Sequence, residues 1–450
     1  MTFNLHPLSF NKDKKRFFVK SVTEKKSALD TFLNSTSERT WSFVTSFLAI
    51  ICIGLIFANN PNPIEKLITP LLTGDSLAPL EKSNHKYEVF GFVPFWTMHK
   101  VENVDFETLS TLAYFGVPVL PSGDLDTEDI GYTRFHSDKA TELFTKAHQN
   151  GTRVVLTLTQ MKNPNIEAIL ESDQAQQTAI DQAVKEVRDR GIDGVNIDFE
   201  YVGNPGKAYR DQFSKFVRNM TLAMHKDIPG SRVTVSVYAS AATSPKLYDI
   251  TSIGNESDGI FMMAYDFAVA GSEKAAPTAP LYGYKEGKYG YDIATAVEDF
   301  KKVMPANKLI LGVPYYGYNY PVATPKENAN TYPSWTWYGK RATQTYQIAQ
   351  ENINPQEKDT YTEGWDDVAK VGWKAYKSED SNTWRMIFLD DAKSLGIKYD
   401  FAKDQGLQGV GMWALGFDDG KTELWALLRE KFGTKLADSR VASRKINASL

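Results

Sequence analysis

Apolar and polar positions alternate along this chain in two textures. Short runs rich in β-branched and aromatic side chains, bounded by turn residues, occupy positions 89–95, 109–117, 153–159, 194–200, 232–238, 259–265, 309–315 and 409–414, and they predict strands. Between most of them apolar residues recur at helical spacing. Ile180, Val184 and Val187 mark one helix that stops at Gly191; Tyr209, Phe213, Phe216, Met220 and Met224 mark the next; Ala294, Val297, Phe300 and Val303 mark another. Eight strands alternating with helices predict an α/β fold, a TIM (β/α)8 barrel, with functional residues at the C-terminal ends of the strands.

The rhythm breaks once, between Tyr315 and Gly409, where there is more chain than one crossover needs and where Trp335, Trp337, Trp365, Trp373, Tyr376 and Trp384 gather. A loop of that length without structure is unusual, so a small α+β insertion after strand seven is expected over about 319–385, followed by a helix through Lys403. Breakers such as Asn-Asn-Pro-Asn-Pro mark 59–86 as a linker, with a short helix near 64–72. The barrel is expected over 87–435 and a frayed tail over 436–450.

Residues 41–58 carry no charge and are long enough to cross a bilayer. Lys12, Lys14, Lys15, Arg16, Lys20, Lys25, Lys26 and Arg39 precede them. Positive segments stay inside. The expectation is therefore a cytoplasmic segment 1–40, a signal-anchor at 41–58, and a single-pass protein with its barrel outside. A cleaved signal peptide with secretion is the alternative, against which the leader is long and Ile56-Phe57-Ala58 is a poor cleavage site. Cys52, the single cysteine, lies in this stretch, so no intrachain disulfide can form; Ile50 and Ile51 before it do not suit a lipoprotein site. The 42% hydrophobic content is ample for a large core, and the net charge of −4 does not suggest nucleic acid as a partner. A monomer is expected.

The densest chemistry lies at 193–200, Asp-Gly-Val-Asn-Ile-Asp-Phe-Glu. Side chains on a strand alternate between faces. Val195, Ile197 and Phe199 therefore share an apolar face, and Asn196, Asp198 and Glu200 form a polar column on the other. A carboxyl at a barrel mouth beside another acid has its pKa pushed up, which suits a general acid. The Cα atoms of Asp198 and Glu200 are roughly 6.5–7 Å apart on one face. Neighbours on one strand face do not easily stand on opposite sides of a bound group, which argues against Asp198 as a nucleophile facing the acid.

This octapeptide resembles the Asp-x-x-Asp-x-Asp-x-Glu signature of the chitinase-like glycoside hydrolases of family 18, matching at Asp193, Asp198 and Glu200. It departs at Asn196, where the common pattern has aspartate; the same asparagine occurs in the branch that includes bacterial spore-cortex peptidoglycan N-acetylglucosaminidases. Three more stretches carry the likeness: Met262-Met263-Ala264-Tyr265-Asp266, Gly312-Val313-Pro314-Tyr315-Tyr316-Gly317, and Gly409-Val410-Gly411-Met412-Trp413-Ala414. Phe92 to Trp96 resembles strand one. The resemblance spans about 88–432.

What the resemblance implies is substrate-assisted catalysis. Glu200 would protonate the leaving oxygen and then activate water. Asp198, oriented by Asn196, would accept from the acetamide N–H. Tyr265 would donate to the acetamido oxygen, Asp266 would hold the ring, and Trp413 would floor the site. Met263, Tyr316 and Trp96 join Asn196, Asp266 and Trp413 as substrate-binding positions, although Met263 by itself reads as core. Tyr318 stands where an arginine often follows the strand-seven motif, so contacts beyond the reacting sugar should differ. Ser236 and Tyr238 read as packing residues. The six histidines show no metal-ligand spacing, so neither metal nor cofactor is expected. The expected function is a retaining glycosidase on β-linked N-acetylglucosamine polysaccharides or oligosaccharides, in chitin or peptidoglycan. Alternatives are an inactive glycan-binding protein, an endo-β-N-acetylglucosaminidase acting on N-glycans, and a membrane-tethered assembly factor whose barrel is only a platform.

Overall fold

The computed structural model describes residues 85–333, 338–351, 360–378 and 381–433. The expected anchor, most of the linker, Trp335, Trp337, Cys52 and the tail lie outside the described residues. Among the described residues no helix is long and apolar enough to cross a membrane.

Each apolar run is a strand. They are β1 (Glu88–Pro94), β2 (Thr111–Pro118), β3 (Arg153–Gln160), β4 (Gly194–Phe199), β5 (Arg232–Tyr238), β6 (Gly259–Met263), β7 (Leu309–Pro314) and, last in the chain, β13 (Gly409–Trp413). They close into a parallel barrel in the order β1-β13-β7-β6-β5-β4-β3-β2. The helices on the outside are α1 (Ile130–Phe135), α2 (Asp138–Gln149), α3 (Asn163–Glu171), α4 (Asp173–Arg190), α5 (Lys207–Asp227), α6 (Ile250–Glu256) and α7 (Ile293–Val303), with α8 (Tyr346–Glu351), α9 (Ala392–Asp404) and α10 (Glu423–Phe432) later in the chain.

The run-up to β4 shows how local sequence aims this strand. Ser172 caps α4 by accepting from the Ala175 amide, and Gly191 ends it in the left-handed region at φ 60°, which glycine enters at no steric cost. Gly194 opens β4 at φ 141°, and a Cβ there would stand 1.9 Å from the Arg232 carbonyl oxygen. Val195, Ile197 and Phe199 then point outward and are fully buried, with Phe199 packed 5.7 Å from Phe216 and 6.1 Å from Phe213 of α5. Asn196 and Asp198 therefore face the barrel interior. There a separate apolar cluster of Phe90, Phe92, Ala113, Val155, Phe261 and Ile310 fills the lumen and supports Met263, Tyr265 and Trp413 above it.

At the opposite end, Glu88 is buried among Arg153 at 3.5 Å, Arg232 at 3.7 Å and the hydroxyls of Ser110 and Thr111. Burial pushes its carboxyl up, but the two guanidinium groups and two hydroxyls together outweigh burial and hold it below the usual glutamate value. Glu88→Gln should cost about 3 kcal/mol of unfolding free energy, since it leaves two cations facing a neutral group. The wild-type advantage should shrink as pH falls through the lowered carboxyl value. Denaturant midpoints for both proteins at pH 7 and at acid pH check this.

The insertion is α+β, as expected, but it starts earlier. β8 (Tyr316–Val322) follows β7 almost directly and leaves the barrel for a second sheet with β9 (Ala342–Thr345), β10 (Tyr361–Asp366), β11 (Val371–Lys377) and β12 (Trp384–Leu389), in the order β10-β11-β12-β8-β9, with antiparallel neighbours. The alternation on β8 puts Tyr316, Tyr318 and Tyr320 on one face. The sheet's own core holds Tyr320, Val322, Val371, Ala375, Met386 and Phe388, with Trp373 and Trp384 against it.

Candidate active site

The C-terminal ends of the barrel strands enclose a cavity of about 260 Å³ lined by Phe92, Phe115, Asp198, Glu200, Ser236, Tyr238, Met263, Tyr265, Asp266, Tyr316 and Trp413. The site grows from the strand alternation: each inward position one step past the apolar lumen reaches this space. Its floor is aromatic. The ring of Trp413, at the end of β13, meets Phe115 at 4.6 Å and Phe92 at 5.6 Å in tilted or edge contacts.

Asp198 is 4% exposed, and its Oδ1 has no hydrogen-bond partner among the described residues. Burial first, and then the neighbouring Glu200 charge, push its carboxyl well above the usual aspartate value. Glu200, two residues on, is half-buried at the strand end. Burial raises its carboxyl too; the Tyr238 hydroxyl and the Lys246 ammonium oppose the rise, Asp266 adds to it, and the net direction is upward. Two carboxyl groups raised in one place titrate as a pair and retain a proton to higher pH than either would alone.

Asp266 sits at the cavity rim with its backbone in the left-handed region at φ 61°. Such a backbone is infrequent outside glycine and is held by its surroundings. Here the hydroxyls of Tyr316 and Tyr318 both donate to its Oδ1, at 2.5 and 2.8 Å. Burial raises its carboxyl and these two donors oppose the rise, with a net shift upward. The Tyr265 hydroxyl lines the cavity beside these acids, and burial and the three carboxylates make it a phenol that stays protonated.

Seven residues singled out from the sequence thus meet in one cavity: Asp198, Glu200, Met263, Tyr265, Asp266, Tyr316 and Trp413. Three do not. Asn196 is fully buried below the cavity, and its side chain hydrogen-bonds to the neighbouring strand. Its amide donates to Thr234 Oγ1 at 2.9 Å and its carbonyl accepts from Ser236 Oγ at 3.0 Å, because the neighbouring strand β5 presents hydroxyls at the same level. Trp96 is 46% exposed and packs edge-on against Phe115 at 6.1 Å, outside the cavity lining. Asp193 lies at the other end of β4, where its Oδ2 accepts from the Val154 amide and pairs with His148 at 2.8 Å. Ser236 and Tyr238, read as packing residues, line the cavity instead. The signal was the alternation of Val233, Val235 and Val237 with Thr234, Ser236 and Tyr238, the same two-faced pattern as β4. Among the described residues no group of histidine, cysteine and acidic side chains is placed to hold a metal ion.

Residues 84–418 match the model of the glycosyl hydrolases family 18. Rat (Rattus norvegicus) di-N-acetylchitobiase is 26% identical over 314 residues, which cover 64% of this chain and 80% of that protein. The putative sporulation-specific glycosylase YdhD of Bacillus subtilis is 28% identical over 279 residues, covering 59% of this chain and 57% of that one. Among solved structures, the group IV chitinase of Ostrinia furnacalis in complex with allosamidin superposes with a TM-score of 0.66 at 20% identity, over 78% of this chain and 99% of that one, and so shares the fold.

Proposed function

The chain belongs to family 18 of the glycosyl hydrolases and is a glycosidase of the chitinase-like kind, and from that premise we propose that it cleaves β-linked N-acetylglucosamine glycans with retention, the substrate's own 2-acetamido group serving as nucleophile. The observation that carries the reading is Asp198 Oδ1: a buried acceptor without a partner, at the cavity floor beside the acid. A buried carboxylate oxygen is costly unless a donor meets it, and the acetamide N–H of a sugar seated on Trp413 would be that donor. Asp198 shares a strand face with Glu200, so it does not stand across the ring from the acid as a protein nucleophile must.

The steps follow. Glu200 gives its proton to the glycosidic oxygen as that bond breaks, and the acetamido oxygen attacks the anomeric carbon to form a cyclic oxazolinium. Asp198 stabilises the positive charge through the N–H, and Tyr265 donates to the acetamido oxygen. Glu200, now a carboxylate, takes a proton from water as water opens the ring. Hydrolysis of N-acetylglucosamine oligomers is expected to exceed that of the same oligomers without their acetyl groups by roughly a thousand-fold or more, because the intramolecular nucleophile is lost. Equal rates on the two, or a trapped glycosyl–enzyme adduct, would sink the reading.

A cell-wall glycan is the polymer this reading favours, supported by Asn196 in the acidic motif and by the likeness to the B. subtilis glycosylase. The reading includes the anchor at 41–58, with the barrel on the outer face of the membrane. Recovery of the full-length chain in the membrane fraction, with the barrel open to added protease in intact cells, tests it.

A further inference from the structure

Resting on the assignment of Glu200 as the acid, we infer that Lys246 is a positioning residue for that acid: its ammonium holds the Tyr238 phenol against the Glu200 carboxyl and supplies a positive charge behind it. Tyr238 ends β5 and lines the cavity together with Glu200. The Lys246 Nζ stands 3.7 Å from the centre of the Tyr238 ring, well inside the range where a cation is drawn to an aromatic face. The other contact on that ring is Tyr248, at 5.8 Å and edge-on, whose own hydroxyl donates to the Phe199 carbonyl of β4 at 2.8 Å. The phenol is therefore gripped between a cation and a buried tyrosine tied to the acid's own strand.

The loop is built to present this lysine. Lys246 has φ 46°, a left-handed backbone that a long side chain seldom adopts without support. Arg210 of α5 supplies that support: its Nη1 reaches the Lys246 carbonyl at 3.3 Å and Asn204 Oδ1 at 2.9 Å. The Tyr248 amide donates to the Pro245 carbonyl at 2.6 Å and closes the turn. Lys246 is half-buried and forms no salt bridge among the described residues, so its charge is left to act on the cleft.

The charged and titratable groups facing Glu200 are Asp198 on its own strand, Tyr238 on β5, Tyr265 and Asp266 after β6, and Lys246 and Tyr248 on the loop after β5. Of these, Lys246 is the cation. Asp198 and Asp266 favour the protonated acid, and Tyr238 and Lys246 oppose them. Lys246 thus limits how far the acid's proton is held toward alkaline pH.

The test follows the Glu200 carboxyl directly, by the pH titration of its 13C chemical shift in full-length protein carrying 13C-labelled glutamate, with Glu200→Gln assigning the signal. Lys246→Met should raise the midpoint by roughly half a pH unit, and Lys246→Gln should do the same if methionine disturbs the loop. Lys246→Arg should restore the wild-type midpoint. Tyr238→Phe should also raise it, and Lys246→Met should add less in that background than alone, since the two act through one contact. The alkaline limb of kcat/KM on N-acetylglucosamine oligomers should move with the midpoint. An unchanged midpoint in Lys246→Met, or an undiminished shift in the Tyr238→Phe background, overturns the inference. Turnover by Glu200→Gln equal to wild type would overturn the assigned acid instead, and the carbon titration distinguishes the two failures.

Discussion

Glutamine in place of Glu200 is expected to leave the barrel folded and to lower kcat on N-acetylglucosamine oligomers by roughly 10²- to 10⁴-fold, the usual contribution of a positioned proton donor. The amide keeps the shape of the side chain, but it has no proton to give. KM should change little, because the loss falls on the transition state rather than on sugar binding. Oligomers whose leaving group is another sugar should suffer most, and activated aryl glycosides least, since a good leaving group needs little protonation. The wild-type alkaline limb should lie above the ordinary glutamate value of 4.5, because burial raises this carboxyl and outweighs Tyr238 and Lys246. Activity is lost as pH rises through the raised value and the proton leaves. Steady-state rates of both proteins across pH 4 to pH 9, as the assay range, give the result. A variant retaining a third or more of wild-type kcat on the oligomers would mean that another group protonates the bond.

Asp198→Asn should raise stability and lower catalysis. Buried, unpartnered at Oδ1 and beside Glu200, the Asp198 carboxyl is raised well above the usual aspartate value. Between the unfolded value, near 3.8, and the raised folded one, the native state binds the proton more tightly than the unfolded chain. Stability therefore falls as pH climbs through that window. Asparagine is neutral throughout and avoids the fall. The variant should be more stable than wild type by on the order of 1 kcal/mol or more at neutral pH, as each pKa unit corresponds to about 1.4 kcal/mol, with the gap closing toward acid pH. Its activity should drop by roughly 10²-fold or more, because an amide cannot balance the positive charge on the oxazolinium. Chemical denaturation at acid and neutral pH, paired with oligomer hydrolysis, reads both. A gap that does not change with pH would mean that Asp198 is already ionised in the folded protein without penalty.

These expectations rest on features of unequal visibility. The alternation at 194–200 named Asp198 and Glu200 before any fold was known, because a strand with two carboxyl groups on one face has few structural uses. The same alternation on β5 was equally plain, yet Ser236 and Tyr238 read as packing, since a hydroxyl on a half-buried strand is ordinary in either role. Asn196 was assigned to Asp198 through the resemblance to the family's acidic signature. The hydrogen bonds it makes run sideways to the neighbouring strand, to Thr234 and Ser236. Glu88 attracted no notice, because its meaning lies in Arg153 and Arg232, which are distant in sequence.

The sequence by itself determined the alternation of strands and helices, the barrel they close into, the insertion after the seventh barrel strand, and the pair of acids on one strand face. These are properties of local periodicity and of spacing within single segments, whereas the aromatic and tyrosine motifs around the acids were picked out by their resemblance to a known family. Only the tertiary structure decided that Tyr316 and Tyr318 turn back onto Asp266, that Lys246 lies over Tyr238, and that Asp198 Oδ1 lacks a partner. Each depends on the angle at which one loop meets another, which is set by barrel closure and the packing of separate elements and is written in no one stretch of the chain.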